Sequence, residues 1–149
     1  MKEEKKGLMA FKLDISKAYV RVEWSFLRCM MDRMGFSEKR IKLVMGCVSS
    51  ATSSVLITGS PQGFIRPSQG LRQGCPILPY LFLLCAQGLS TLSVDVERDG
   101  LITGFSCSKK GPRVSHLLLV GDNLVFCRGS TQESHHIKEL LCSYQKASG

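Results

Sequence analysis

The stretch from Met9 to Ile15 is short and apolar and ends at an aspartate, the pattern of a buried strand that delivers a carboxylate at its carboxyl end. Apolar residues at 24, 26, 27, 30, 31 and 34 then recur at helical spacing until Gly35 stops them. The stripe resumes at Ile41, Val44, Met45 and Val48, after Ser37 as a cap and Glu38 in the first turn, so two helices joined by Gly35-Phe36-Ser37 are predicted. Thr52 to Thr58, rich in Ser, Thr, Val and Ile and closed by Gly59, predicts a strand entering a hairpin. Pro61-Gln62-Gly63 reads as its turn and Gly63 to Pro67 as the return arm. Tyr80 to Val96 predicts a long helix, with Pro76 and Pro79 tolerated only at its start and Asp99-Gly100 ending it.

Leu101 to Ser106 and Val114 to Val120 flank Lys109-Lys110-Gly111-Pro112, a predicted hairpin. A second hairpin turns at Gly121-Asp122-Asn123, between His116 to Val120 and Leu124 to Cys127. Thr131 opens a last helix with Ile137, Leu140, Leu141 and Tyr144 on one face. The order β-α-α-β-β-α-β-β-β-α predicts an α+β domain with helices packed on one face of a mostly antiparallel sheet. At 149 residues, one such domain with its own core is the expectation.

Charge adds a partner class. The 20 Lys and Arg against 12 Asp and Glu leave a formal net charge of +8, which favours a polyanion such as nucleic acid. The seven cysteines are odd in number, never two or three apart and mostly inside apolar runs, so they read as reduced core thiols. Adjacent His135 and His136 would point in different directions on a helix, which speaks against a zinc site. The charged amino-terminal segment lacks the apolar core of a signal peptide, and the longest apolar run, Ile77 to Ala86, is too short to cross a bilayer. An intracellular protein, cytoplasmic or nuclear and without a membrane partner, is expected.

Asp14 and Asp122 are the two acidic residues that lie in or beside strongly apolar strand segments. A lone buried carboxylate loses several kcal/mol of solvation, so two of them facing each other would call for a divalent cation. The alternative is local: Asp14 caps the following turn and Asp122 serves a hairpin, where Asp is common.

Several ordered stretches resemble one family. Phe11-Lys12-Leu13-Asp14-Ile15-Ser16-Lys17-Ala18-Tyr19, with Arg21-Val22-Glu23-Trp24-Ser25-Phe26-Leu27, resembles the first palm motif of plant LINE-type (non-LTR) retrotransposon reverse transcriptases. Gly70-Leu71-Arg72-Gln73-Gly74-Cys75-Pro76, with Pro79-Tyr80-Leu81-Phe82, is similar to their second motif, and Tyr144 to Gly149 to the start of the fourth. Ser115-His116-Leu117 and Leu124 to Arg128 flank the third, which in that family holds Phe-Ala-Asp-Asp. The resemblance implies a polymerase palm over residues 1–149, carrying the first three motifs and the start of the fourth, with fingers and thumb missing. It also implies RNA-directed DNA synthesis with Mg²⁺ or Mn²⁺, an RNA template, a DNA primer and deoxynucleoside triphosphates.

By the same resemblance Asp14 and Asp122 would be catalytic metal ligands, and the Ile15 carbonyl would touch one metal. Tyr19 would stand beneath the sugar and exclude a 2′-hydroxyl, and Gln73 and Gly74 would lie against the template base and incoming nucleotide. Three positions depart from the pattern. Aligned without a gap, Gly121 takes the place of the first aspartate of the pair, and Asp122 would face away from the metal if the strand ran through it. A second alignment puts Asp122 on the first aspartate and Asn123 on the second, with compensating shifts on both sides. Val20 and Leu78 replace an aspartate and a serine. The expectation is a catalytically impaired palm fragment; the alternatives are a non-catalytic basic nucleic-acid-binding domain or a retroelement relic.

Overall fold

The computed structural model describes residues 7–14, 18–72, 74–106, 108, 111–118 and 122–149, with only the backbone of Asp14, Ala18, Tyr19 and Asp122. The chain divides into two compact units: residues 1–17 with 86–147, and residues 18–85 with 148–149.

The first unit is built on an antiparallel sheet of three strands, β1 (Leu8–Asp14), β4 (His116–Leu118) and β5 (Asp122–Arg128). β5 lies in the middle, paired with β1 from Leu8↔Arg128 to Asp14↔Asp122 and with β4 from His116↔Val125 to Leu118↔Asn123. Alternation along β5 sends Asn123, Val125 and Cys127 inward, each at most 1% exposed. Their β1 partners Leu13 and Phe11 pack into the same cluster with Ile102, Val96 and, from α5 (Thr131–Ser148), Ile137 and Leu141. The opposite face carries Leu8, Ala10 and Lys12, all exposed, alongside half-buried Leu124 and Phe126 and exposed Arg128. Helices on one face and an open second face match the predicted α+β architecture.

Glu133 locks the start of α5 onto the sheet. Its N–H donates to Ser130 Oγ at 3.2 Å, the cap half of a capping box. Its carboxylate accepts from the N–H groups of Arg128 (2.9 Å) and Thr103 (3.0 Å) and from the Thr103 hydroxyl.

The second unit holds α1 (Ala18–Arg21), α2 (Trp24–Arg33), α3 (Glu38–Ser49) and the hairpin β2 (Ser53–Ile57) and β3 (Ser60–Ile65). Leu27, Met31, Ile41, Val48, Leu71, Leu81 and Cys85 form its core. The helix-to-helix turn is as predicted: Gly35 has φ +79°, its N–H bonds to Asp32 and that of Phe36 to Met31, which ends α2. α4 (Leu78–Arg98) starts in this unit and continues into the other.

Five expectations need correction. Asp122 and Asn123 are not turn residues: they pair with Asp14 and Leu13 inside β5, and Gly121 lies outside the described residues. Pro61-Gln62-Gly63 is not the turn: Pro61 pairs with Leu56 and Gln62 with Val55 inside the hairpin, and the chain reverses at Thr58-Gly59. Both turn residues have positive φ, 51° and 81°, the requirement of a two-residue type I′ turn, and a two-stranded sheet tolerates a proline that cannot donate. Leu101 to Ser106 does not make a strand; its pairing is the single bridge Phe105↔Val114. Cys29, Cys47 and Cys142 are exposed because they sit on the outer faces of helices, whereas Cys85 and Cys127 are buried as expected. Burial pushes the Cys85 thiol up to about 12, which keeps it protonated. α4, at 21 residues, is long and apolar enough to cross a membrane, a length the run Ile77 to Ala86 did not suggest. Its Leu81, Cys85, Ala86, Leu89 and Ser93 are buried at helical spacing, the pattern of a core helix.

Thr58 is the one non-glycine residue with positive φ among those described, and it is β-branched. Thr58→Asn, which suits the same turn, is expected to raise unfolding stability by about 1 kcal/mol. A higher urea midpoint at unchanged slope checks this; an unchanged or lower midpoint contradicts it.

Candidate metal and nucleotide site

The β1·β5 register sets Asp14 directly across from Asp122. Cross-strand partners share one face of a sheet. Positions 14 and 122 therefore belong to the face of Ala10, Lys12, Leu124 and Phe126, opposite the core-facing Leu13 and Asn123. Gly121 lies outside the described residues, so only the backbone register of Asp122 against Asp14 is described. Two like charges directly opposite each other destabilise a strand pair unless a cation or proton intervenes.

Asn123 has the reverse placement. It is 1% exposed on the core face, and neither its amide nitrogen nor its oxygen has a hydrogen-bond partner among the described residues. An unpaired buried amide costs about 1 to 3 kcal/mol. A carboxylate there would be buried away from the face of positions 14 and 122, so Asn123 is poorly placed to stand for a metal-ligand aspartate.

The hairpin that carries Asp122 is tied down by a residue to which the sequence alone assigned no role. His116 on β4 bonds through Nε2 to Ser90 Oγ of α4 at 2.7 Å and through Nδ1 to Ser115 Oγ at 3.2 Å. Burial lowers its pKa, opposed by the charge of Glu97. The only sequence signal was its place in the motif flank Ser115-His116-Leu117.

The other candidates lie in the second unit or outside the described residues. Ile15, Gln73 and Gly121 are among the latter. Tyr19 is in α1, and Gly74 has φ +85° with open space where a Cβ would be, so conformation rather than crowding calls for glycine there. Crowding acts at Gly70 instead. A Cβ on Gly70 would stand 2.5 Å from the Val20 carbonyl oxygen, and φ is +84°. The residue is clamped on both sides, its N–H donating to Val22 at 2.8 Å and its carbonyl accepting from Trp24 Nε1 at 2.7 Å. The second motif is thereby anchored to Val22 and Trp24 of the first. Leu78 packs against the unit's core, and Val20 is exposed.

A sequence model of the family described as reverse transcriptase (RNA-dependent DNA polymerase) matches residues 1–147. The chain belongs to the reverse transcriptase family. This reverse transcriptase domain is 46% identical over 67 residues to an uncharacterized mitochondrial protein of Arabidopsis thaliana, covering 45% of the chain and 55% of that protein. It is 29% identical over 92 residues to the retrovirus-related Pol polyprotein from the type-1 retrotransposable element R2 of Popillia japonica. That match covers 57% of the chain and 13% of the polyprotein. The chain thus spans about half of one relative and a small part of the other. The palm-like α+β fold and the non-LTR resemblance read from the motifs agree with the family and with the R2 relative.

Two outcomes follow for the reverse transcriptase domain. Gly70→Ala should cost more than about 2 kcal/mol in chemical denaturation, because clash and positive φ act together; a loss under half that size contradicts the clamp. Because burial depresses the His116 pKa below that of the unfolded chain, protonation favours unfolding. Stability should fall as pH drops below about 6.5, the ordinary histidine value, and level off below the folded pKa. Parallel pH titrations of parent and His116→Gln should show that part of the slope missing from the variant; identical slopes contradict it.

Proposed function

We propose that this chain is a retrotransposon reverse transcriptase domain whose nucleotidyl-transfer centre rests on Asp14 and Asp122 and is impaired at Gly121. The observation that carries the reading is the register that opposes Asp14 and Asp122 on the sheet's open face. Two carboxylates are hard oxygen donors, the chemistry that suits Mg²⁺ or Mn²⁺, and the like-charge conflict between them fits a cation. When bound, such ions activate the attacking hydroxyl and neutralise charge on the leaving oxygen in phosphoryl transfer.

The fit is incomplete at position 121, where glycine brings no donor. The burial of Asn123 supports the ungapped alignment, in which Gly121 replaces the first aspartate of the pair. Loss of even supporting groups around a metal costs about 10- to 100-fold in affinity or activity, and loss of a ligand more. By the family resemblance, Ile15 would offer a carbonyl, Tyr19 would exclude a 2′-hydroxyl, and Gln73 and Gly74 would bear on the template base and incoming deoxynucleotide. The substrates are deoxynucleoside triphosphates and a DNA primer on an RNA template, in line with the family and the R2 relative.

Mn²⁺ titration, followed by the loss of the free-ion electron paramagnetic resonance signal, tests the reading. Gly121→Asp is expected to tighten binding about tenfold or more, and Asp14→Asn to abolish it. Primer extension on an RNA template should be barely detectable in the parent, rise in Gly121→Asp and vanish when Asp14→Asn is added. Equal Mn²⁺ affinity in parent and Asp14→Asn would falsify the metal assignment, and no incorporation by Gly121→Asp would reject catalysis by this chain.

A further inference from the structure

At the far end of the same sheet lies an open cleft of about 410 Å³, all of it within the first unit. Arg113 and Arg128 line it with Gly104, Ser106, Ser108 and Gly111. Both arginines are exposed, and among the described residues neither forms a salt bridge. Two acidic groups lie nearby. The Glu133 carboxylate is engaged by the Arg128 and Thr103 N–H groups and the Thr103 hydroxyl, and Glu97 Oε1 lies 2.8 Å from where a Cβ on Gly104 would be.

The cleft wall is shaped by small residues. Ser106 Oγ donates to the carbonyls of Ser108 (2.6 Å) and Gly111 (3.1 Å), closing a tight loop. A Cβ on Gly111 would strike Ser108 Oγ at 2.7 Å, and one on Gly104 would strike the Val114 carbonyl at 2.8 Å. Guanidinium forks among serine hydroxyls and bare backbone are the chemistry of phosphate recognition.

Position within the sheet adds a direction. Arg128 pairs with Leu8 at one end of the β1·β5 ladder, and Asp122 pairs with Asp14 at the other, on the same open face. Six residues of strand separate them, about 20 Å at 3.3 Å per residue.

We propose that the Arg113–Arg128 cleft is a phosphate-backbone site that holds a nucleic-acid duplex at the end of the sheet away from Asp14 and Asp122. The assignment rests on the nucleic-acid reading of the chain but not on its metal chemistry. Failure here leaves the Mn²⁺ result for Asp14→Asn untouched, and failure there leaves this site standing.

The test is binding of a fluorescein-labelled RNA–DNA hybrid to the full chain by anisotropy, across about 50 to 200 mM salt, a range that resolves counterion release. Arg113→Gln with Arg128→Gln should flatten the log affinity against log salt slope by about 1.8, which is about 0.9 for each phosphate no longer neutralised. Arg113→Lys with Arg128→Lys should keep the parent slope. Lys39→Gln with Lys42→Gln, which removes equal charge from α3, should change it much less. An unchanged slope in the glutamine pair, an equal fall in the α3 pair, or an equal fall in the lysine pair each overturns the proposal. Inorganic pyrophosphate should compete only weakly; tight displacement by it, lost in the glutamine pair, would reassign the cleft to a free phosphate ligand.

Discussion

The pairing of β1 with β5 is the constraint on which the rest depends. A ladder of seven partners, from Leu8↔Arg128 to Asp14↔Asp122, fixes which residues face inward and which face out. A slip of one residue would send Val125 and Cys127 outward and bring position 122 into the core. The apolar cluster of Phe11, Leu13, Val125, Cys127, Ile137 and Ile102 therefore holds the register, and the register opposes the two aspartates. Packing on one face sets which residues share the other.

Positions 14 and 122 lie on the face of exposed Ala10 and Lys12, so the carboxylate pair proposed there would not be carried through the core. The cost falls instead on Asn123, a buried amide with no hydrogen-bond partner among the described residues. His116 steadies the neighbouring strand through two serine hydroxyls, so the hairpin is held from both sides: by β1 through the ladder and by α4 through Ser90.

Much of this was legible in the sequence, for reasons that differ by element. β1 and the long helices announced themselves through apolar spacing, and Gly35 and Ser37 marked the joint between α2 and α3 because positive φ and capping have strong residue preferences. The hairpin turn at Thr58-Gly59 was hidden, since a β-branched residue at positive φ is no turn signal and Pro61 argued against a strand. Leu101 to Ser106 looked like a strand by composition alone, yet residues there engage the sheet through one bridge and the Glu133 carboxylate. For the candidate site, the motifs named Asp14 and Asp122, but their relative face could not be read without knowing where β5 begins. The roles of Gly70 and Asn123 depend on neighbours distant in sequence, Val20 for one and the core cluster for the other.

We propose that Asp14 and Asp122 share a cation across the β1·β5 pair. Anomalous diffraction from crystals of the parent chain soaked in excess Mn²⁺ addresses it directly. The expected result is a peak between the carboxylates of Asp14 and Asp122 on the open face of the sheet. Well-ordered carboxylates at both positions with no peak between them, or a peak elsewhere alone, would contradict the account.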